Sequence, residues 1–298
     1  MKLSELNIGK VIKDGEFDWL GLTAEEYGNK KILTFLADIK YFEEVKNNNT
    51  ITCIITTEEI ANNIKDNKYG LIISENPKRD FFELHNKLVD EEFYFKKEKN
   101  NISSKAIISP RASIREYNIN IEDDVVIEEN VVIYPNVTIK KDSIIKAGTI
   151  LGADGFQYFK SENNNIQVKP IGKLIIEEDV TIHNNCVIDR GIFDKTIIDK
   201  NTKIYNLVHI AHDSKIEKNT LITAGVIVCG RVRIGENSYL GPNCTIKNGL
   251  KLGKNSKVSM GAVVTKNVQD NEVVTGNFAI SHQKFLKLLK YLLDKIKE

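Results

Sequence analysis

From Ile198 to Val264 an aliphatic residue falls at every sixth position without a miss: Ile198, Ile204, Ile210, Ile216, Ile222, Val228, Ile234, Leu240, Ile246, Leu252, Val258 and Val264. A second run with the same step occupies Ile121, Ile127, Ile133, Ile139, Ile145 and Leu151, and a shorter one Ile176, Ile182 and Ile188. A period of six matches neither the helical 3.6 nor the plain strand 2, and it is the signature of hexapeptide repeats that coil a chain into a parallel β-helix. Two places before each anchor of the long run sits a second small or apolar residue, such as Thr202, Val208, Ser214, Thr220 and Val226. Residues i−2 and i point to the same side of a strand, so each hexad sends two side chains inward and the rest outward.

A chain of 298 residues has room for two domains and an ample core. Its formal charge of +1 offers no bulk electrostatic case for binding nucleic acid or a membrane surface. The N-terminal stretch lacks an uninterrupted apolar core, and nothing downstream resembles a transmembrane span, so a cytoplasmic protein is expected. The cysteines, Cys53, Cys186, Cys229 and Cys244, have no CxxC spacing and suggest neither a disulfide framework nor a zinc clip. Cys186 and Cys244 fall in the small inward slot, where a free thiol packs as a small hydrophobe.

Three regions separate by pattern. Residues 1–103 lack the six-residue step and mix strand-like runs (ILTFLADI, TITCIITT, YGLIISEN) with a helical stretch, DFFELHNKLVDEEF, which predicts a small α+β domain. The Asn/Lys-rich KKEKNNISSK reads as a linker into a β-helix over 104–268, and 269–298 as a C-terminal extension. The period breaks between Leu151 and Ile176, where GADGFQYFKSENNNIQVKPIGK reads as a loop thrown out of the coil. It breaks again at DRGIFDKT, between Ile188 and Ile198. Long excursions from a strict repeat are often functional. Near the C-terminus Phe285, Leu288, Leu289, Leu292, Leu293 and Ile296 have the spacing of an amphipathic helix, with Lys284, Lys287, Lys290, Lys295 and Lys297 on its other face. Such a helix suits packing against a neighbouring subunit or docking an acidic carrier protein.

With three six-residue sides per coil, residues n and n+18 lie one above the other, about 4.8 Å apart. A bare solenoid leaves open ends that need caps, and the N-terminal domain and C-terminal helix are placed to provide them. The outward positions are where chemistry must be sought. His209 and His212 flank the inward Ile210 in NLVHIAHDS, and eighteen residues beyond His212 is Gly230, then Asn248. A histidine next to a glycine on the following coil pairs a base with a bare backbone N–H that a substrate can approach. An isolated exposed histidine is more often ordinary surface; His85, His282 and Trp19 sit in no motif.

The segments GADGFQY (152–158), IDRGIFDKTIID (188–199) and NLVHIAHD (206–213), with TFLADIKY (34–41) and ENPKRDFFEL (75–84) in the N-terminal region, give the chain a resemblance over nearly its whole length. It resembles the UDP-3-O-acylglucosamine N-acyltransferases of lipid A synthesis, within the left-handed β-helix acyltransferase superfamily. The left hand of the coil comes from the resemblance alone, against the usual right-handed rule for β crossovers. The resemblance implies that His212 is the catalytic base and the Gly230 backbone amide the oxyanion donor. It also implies that Phe35 and Tyr41 stack on uracil, with Asp38, Asn206 and His209 as further substrate contacts. It implies a homotrimer with active sites in clefts between neighbouring β-helices, bordered by the loop at 152–173. No cofactor or metal is called for beyond the thioester of acyl carrier protein or coenzyme A.

In that reading a sugar amine attacks a thioester carbonyl, His212 accepts the amine proton, the Gly230 N–H holds the tetrahedral oxyanion, and a thiol leaves. Either Asp213 or Asp189 could orient the imidazole. The chain departs from the family's pattern at Tyr205 (usually Asp), His209 (usually Gln), Asp38 (usually Asn) and Phe278 (usually Pro). Gly249 stands where a second family histidine falls, and roughly two coils are missing ahead of GADGFQY. The expected reaction is transfer of a 3-hydroxyacyl chain from acyl carrier protein to the amine of a UDP-linked 3-O-acylglucosamine. The alternative is acetyl transfer from acetyl-CoA to a nucleotide-linked aminosugar for surface glycans. A zinc lyase would need three converging histidines, of which the chain offers His209, His212 and the distant His183. A non-catalytic nucleotide-sugar binder completes the range.

Overall fold

The computed structural model describes residues 1–23, 27–64, 68–161, 164–276 and 279–296. The turn at Asn277–Phe278 and the lysine at 297 lie outside the described residues.

The N-terminal region forms a sheet of β1 (Lys10–Lys13), β2 (Trp19–Leu20), β3 (Ile32–Leu36), β4 (Ile51–Thr56) and β5 (Gly70–Ile73) in the order β1-β5-β4-β3-β2. Helices α1 (Phe42–Asn47) and α2 (Glu58–Asn63) connect β3 to β4 and β4 to β5, and α3 (Pro77–Asp90) follows β5. The expected runs thus become β3, β4, β5 and α3. Strands β2 to β5 are parallel and only β1 is antiparallel, so most of the sheet is built from helix-linked crossovers. Asn76 caps α3 by accepting from the Arg79 N–H, with Pro77 in the first turn, where its missing N–H costs nothing.

The six-residue repeats fold into a parallel β-helix of three stacked sheets with nine, eight and eight strands. Its first rung, Asn101–Ile102, already pairs with Ile119–Ile121, so the coil begins inside the segment read as a linker. Its last, Val273–Val274, pairs with Lys257–Val258, so the coil also runs past residue 268. The long-run anchors from Ile198 to Val264 are at most 6% exposed. The hydroxyls sharing the interior are satisfied locally: Ser214 Oγ donates to Cys229 O at 3.1 Å and Thr220 Oγ1 to Glu217 O at 2.7 Å. Buried Cys186 and Cys244 fill the same slot.

Corners make the coil close. Asn201, Asn219, Asn237 and Asn255, one per coil, all have φ between 55° and 60°. Asparagine tolerates this left-handed region better than other side chains with a Cβ. Their amides also bond along the stack, Asn201 Nδ2 donating to Asn219 Oδ1 at 3.0 Å and Asn219 Nδ2 to Asn237 Oδ1 at 3.1 Å.

Both breaks in the period serve the junction between domains. Ile150 pairs with Val187 and Val187 with His209, steps of 37 and 22 residues where the repeat has 18. The longer insertion holds an antiparallel hairpin of Tyr158–Ser161 with Asn164–Gln167. Its Phe159, Val168 and Ile171, with Ile192 and Phe193 of the shorter insertion, join one buried cluster with the core of the N-terminal domain. Phe193 lies 5.8 Å from Phe81 and 4.6 Å from His85 between ring centroids. Trp19 Nε1 donates to Phe193 O at 3.3 Å. His85 spans the junction, with Nε2 2.7 Å from Lys169 O and Nδ1 2.8 Å from Tyr94 Oη. Since a carbonyl only accepts, Nε2 carries the proton and Nδ1 accepts from the tyrosine. Helix α4 (His282–Ile296), by contrast, buries no residue in the single chain.

Two outcomes follow from this packing. Asn219→Ala keeps the left-handed corner with a less tolerant residue and breaks the ladder, so it should lower stability by about 1–2 kcal/mol and more than Asn219→Gly, as read by thermal and denaturant unfolding. Burial pushes the His85 imidazole down to about 4 from its ordinary 6.5. The unfolded chain therefore binds the proton first, and the stability held by neutral His85 is complete above about pH 6.5 and is lost as pH falls toward about 4. His85→Gln should flatten the melting temperature across that window.

Candidate active site

His212 follows the strand His209–Ile210 at the corner where the chain turns toward Lys215–Ile216. The ring is 4% exposed. Nδ1 lies 2.8 Å from Asp213 Oδ2, and Asp213 Oδ1 accepts the Ile192 N–H at 3.0 Å. The Asp213 N–H in turn donates to Thr196 Oγ1 at 2.9 Å. Both anchoring partners belong to or border the shorter insertion. A carboxylate only accepts, so Nδ1 carries the proton and Nε2 is left as the acceptor. Of the two carboxylates the sequence leaves open, Asp213 is the one on the imidazole.

Two glycines enclose the ring. A Cβ on Gly230 would stand 2.8 Å from both His212 Cε1 and Nε2, and one on Gly155 would stand 2.7 Å from His212 Cβ. Gly230 thus lies against the basic nitrogen, as the eighteen-residue stacking predicts, and its N–H has no backbone acceptor among the described residues. Gly155 comes from GADGFQY and brings the excursion onto the other side. The resemblance places that loop at a cleft between neighbouring β-helices, and it does not pick out Gly155. Its signal is the paired glycines Gly152 and Gly155 at the break. Asp154 is tied to Arg190 Nη2 at 2.6 Å, which fastens the excursion to the shorter insertion.

Asp189 and His209 meet a different environment. Burial, then the neighbouring Asp154, raises the Asp189 carboxyl to about 7. Burial, then His212, lowers the His209 imidazole. They lie 3.7 Å apart, beyond hydrogen-bond reach, and both are pushed toward their neutral forms, so the contact is not an ion pair. His209 projects from the outer sheet face in register with Ile227. Asn206 sits at the far end of that face, its Oδ1 accepting the Asn184 N–H at 3.0 Å. His183 sets its ring at a tilt, 4.9 Å from Tyr205 between centroids, instead of joining the other histidines. Among the described residues no group of three or more His, Cys, Asp or Glu is placed to hold a metal ion.

A cleft of 940 Å³ separates the N-terminal domain from the β-helix. Phe35, Asp38 and Tyr41 line it, as do Asp213 and Arg231, the chain neighbours of His212 and Gly230, and Gly249. One ring face of Phe35 packs on Phe81 and Phe82, whereas Tyr41 is 46% exposed. Asp38 is engaged with Lys40, accepting its backbone N–H at 3.0 Å and its Nζ at 2.7 Å. That ammonium holds the Asp38 carboxyl below the usual carboxylate range. The structure therefore sets Phe35, Asp38 and Tyr41 in one cleft, brings His212 and Gly230 together at a corner whose next residues, Asp213 and Arg231, reach that cleft, and leaves Asn206 and His209 out of it.

Two family models match the chain: bacterial transferase hexapeptide (six repeats) over residues 118–153 and hexapeptide repeat of succinyl-transferase over residues 231–266. Both matched segments fall within the β-helix, so the coil carries hexapeptide repeats of the kind found in bacterial transferases. It is 31% identical to the UDP-3-O-acylglucosamine N-acyltransferase of Delftia acidovorans over 157 residues, which is 50% of this chain and 47% of the relative. It is 34% identical to that of a Geobacter species over 140 residues (47% and 41%), and 47% identical to that of Fusobacterium nucleatum over 79 residues (26% and 24%). The matches thus span less than half the length of these curated relatives. Among solved structures, the UDP-N-acetylglucosamine acyltransferase of Francisella novicida aligns with a TM-score of 0.50 at 22% identity, over 62% of this chain and 72% of that one. That likeness identifies the fold alone, a left-handed parallel β-helix.

The enclosure of His212 is directly testable. Nitrogen-15 NMR of the imidazole should find the neutral ring protonated at Nδ1, and Asp213→Asn should abolish that single-tautomer preference. Gly230→Ala should shift both ring nitrogens by forcing the imidazole off its seat.

Proposed function

We propose that this hexapeptide-repeat protein is an N-acyltransferase that moves an acyl group from a thioester to the amine of a nucleotide-linked aminosugar. The observation that carries the reading is the Asp213–His212–Gly230 arrangement. It combines an imidazole locked with Nε2 as acceptor with a backbone N–H at a glycine against that nitrogen. The amine lone pair attacks the thioester carbonyl and forms the C–N bond. His212 Nε2 takes the proton the amine must lose, and the Gly230 N–H donates to the oxyanion, a contribution of about 3 kcal/mol in comparable sites. Collapse breaks the C–S bond, and the proton passes from His212 to the departing thiolate. Asp213 steadies the imidazolium that forms in between.

The names of the relatives support a UDP-linked 3-O-acylglucosamine as the acceptor, and we take a 3-hydroxyacyl chain on acyl carrier protein as the donor. The cleft lined by Phe35 and Tyr41 together with Asp213, the residue after His212, supports the same acceptor. We also assign a homotrimer. The outer faces of the β-helix expose Val263, Ile227, Leu221 and Leu207. The apolar stripe of α4 is uncovered as well, with Phe285 at 49% and Leu292 at 48% exposure. Apolar area of this extent marks an association surface, and neighbouring copies set there would close over His209 and Asn206. No helix among the described residues is long and apolar enough to cross a membrane.

The purified chain should form a long N-acyl product, read by mass spectrometry, from a UDP-linked 3-O-acylated glucosamine and 3-hydroxyacyl carrier protein. His212→Ala should lower the rate by about 100-fold or more. An N-acetyl product formed only with acetyl-CoA would replace the donor and keep the mechanism; no amide product from either donor would overturn the reading.

A further inference from the structure

A second cleft, of about 880 Å³, lies where the N-terminal domain, the connecting segment at 94–99 and the early coils meet. Apart from Asp194 its lining is distinct from that of the cleft holding Phe35 and Tyr41. Five lysines surround it: Lys30 from the N-terminal domain, Lys96 and Lys99 from the connecting segment, and Lys173 and Lys195 from the coil. Its carboxylates are Glu98 and Asp194, and Asp194 is engaged by Lys215 at 3.5 Å, a residue of the other cleft. Among the described residues none of the five ammoniums stands within ion-pair distance of a carboxylate.

These charges are crowded as well as numerous. Lys173 and Lys195 are Cα partners on adjacent parallel coils. Both point outward, since Leu174 and Thr196 beside them are the buried residues. Such rungs are about 4.8 Å apart, and like charges directly opposite one another destabilise a sheet. Lys30 Nζ lies over the Trp19 ring. Burial, then the Lys173 charge, pushes the Lys30 ammonium down to about 8, against the weaker pull of Asp194 and Asp18. On a convex surface water and salt screen repulsion of this kind; in a recess between two packed domains a bound anion relieves it.

The remaining lining narrows the kind of anion. Asn101, Asn120 and Thr138 stand in register on three successive rungs of one coil face. Asn101 Nδ2 donates to Asn120 Oδ1 at 2.7 Å, which leaves Asn120 Nδ2 and the Thr138 hydroxyl as donors for oxygen acceptors. Three of the rings here are closed to a stacking base. Trp19 is 9% exposed under Lys30, and Phe193 is 1% exposed. Tyr94 meets Trp19 edge-on and sets its hydroxyl on His85. Lysines of this sort bind phosphoryl groups as point charges.

We propose that this second cleft binds a compact polyanion of the diphosphate type, without a nucleobase, held by Lys30, Lys173 and Lys195 and joined by Lys96 and Lys99 of the connecting segment. Its two phosphoryl charges meet the two opposed rungs, and the ligand ties the N-terminal domain to the coil. The assignment holds whether or not the transfer reaction proposed above takes place.

Trp19 is the only tryptophan of the chain and lines this cleft, so its fluorescence reports occupancy there. Titrating the full chain with pyrophosphate should change that emission saturably, with binding roughly tenfold or more tighter than that of inorganic phosphate. Sodium chloride at matched ionic strength should leave the emission unchanged. Lys173→Ala and Lys195→Ala should each weaken pyrophosphate by about fivefold or more, and Lys173→Arg should keep most of the affinity. Circular dichroism should find both alanine variants folded, since each relieves like-charge repulsion. Lys96→Ala, on the exposed connecting segment, should give a smaller loss of about twofold. Calorimetry at pH 8 in buffers of different ionisation enthalpy should find wild type taking up roughly half a proton more per pyrophosphate than Lys30→Met. That difference should vanish at pH 6.5, where Lys30 is already charged. Arg233→Ala, in the other cleft, should leave pyrophosphate binding as it is. No saturable emission change, the same change with chloride, or affinity untouched in both alanine variants would each overturn the site. Equal proton uptake by wild type and Lys30→Met would also overturn it. So would a loss with Arg233→Ala as large as that with Lys173→Ala, because it would place the anion in the other cleft.

Discussion

Everything in this molecule depends on the closure of a three-sided coil at a fixed eighteen residues. A parallel stack buries two inward side chains per side only while every coil has the same perimeter, and each coil must turn three corners to achieve it. The corners demand left-handed φ values, which is why Asn, Asp and Gly recur there. The columns through Asn201, Asn219, Asn237 and Asn255 show the economy of the solution. One residue type tolerates the dihedral and bonds its own image on the next coil. The regularity also makes every exception informative, because an insertion that interrupts neighbour contacts must be held in place by something else.

Both exceptions here are held by the N-terminal domain. Phe159, Ile171, Ile192 and Phe193 leave the solenoid to bury against Phe81, Phe82 and Trp19. The same two insertions then shape the site. One supplies Gly155 against His212, and the other supplies the Ile192 N–H that fixes Asp213. Domain docking and the posture of the imidazole are therefore one packing problem. A change in the aromatic cluster that tilts the insertions alters the Asp213–His212 geometry without touching either residue.

The β-helix was legible in the sequence because its period is enforced at every coil, and the inward anchors and the His212–Gly230 stack follow from counting alone. The corner glycine was legible for the same reason. The choice between Asp189 and Asp213 was not, since it turns on which carboxylate the inserted residues Ile192 and Thr196 capture, and insertions carry no period. The coil's true limits at Asn101 and Val274 escaped because terminal rungs pack against a single neighbour and their anchors are relaxed. Parallel pairing in the N-terminal sheet escaped because apolar runs such as TITCIITT specify a buried strand but not its partner.

A corner is the place where a β-helix can afford chemistry. Along the strands each N–H and C=O is consumed by the neighbouring coils, as at His209, Ala211 and Cys229, so a strand offers only side chains. At a corner the ladder lapses, a backbone N–H such as that of Gly230 is released, and the chain direction changes enough to aim two successive residues at different walls. His212 points back at Gly230 while Asp213 turns to the insertion and the cleft. Under the proposed function, placing an acid–base group and a free donor at this corner requires no change to the buried anchors. The solenoid can therefore vary its reaction at one corner while the packing that keeps it folded stays the same.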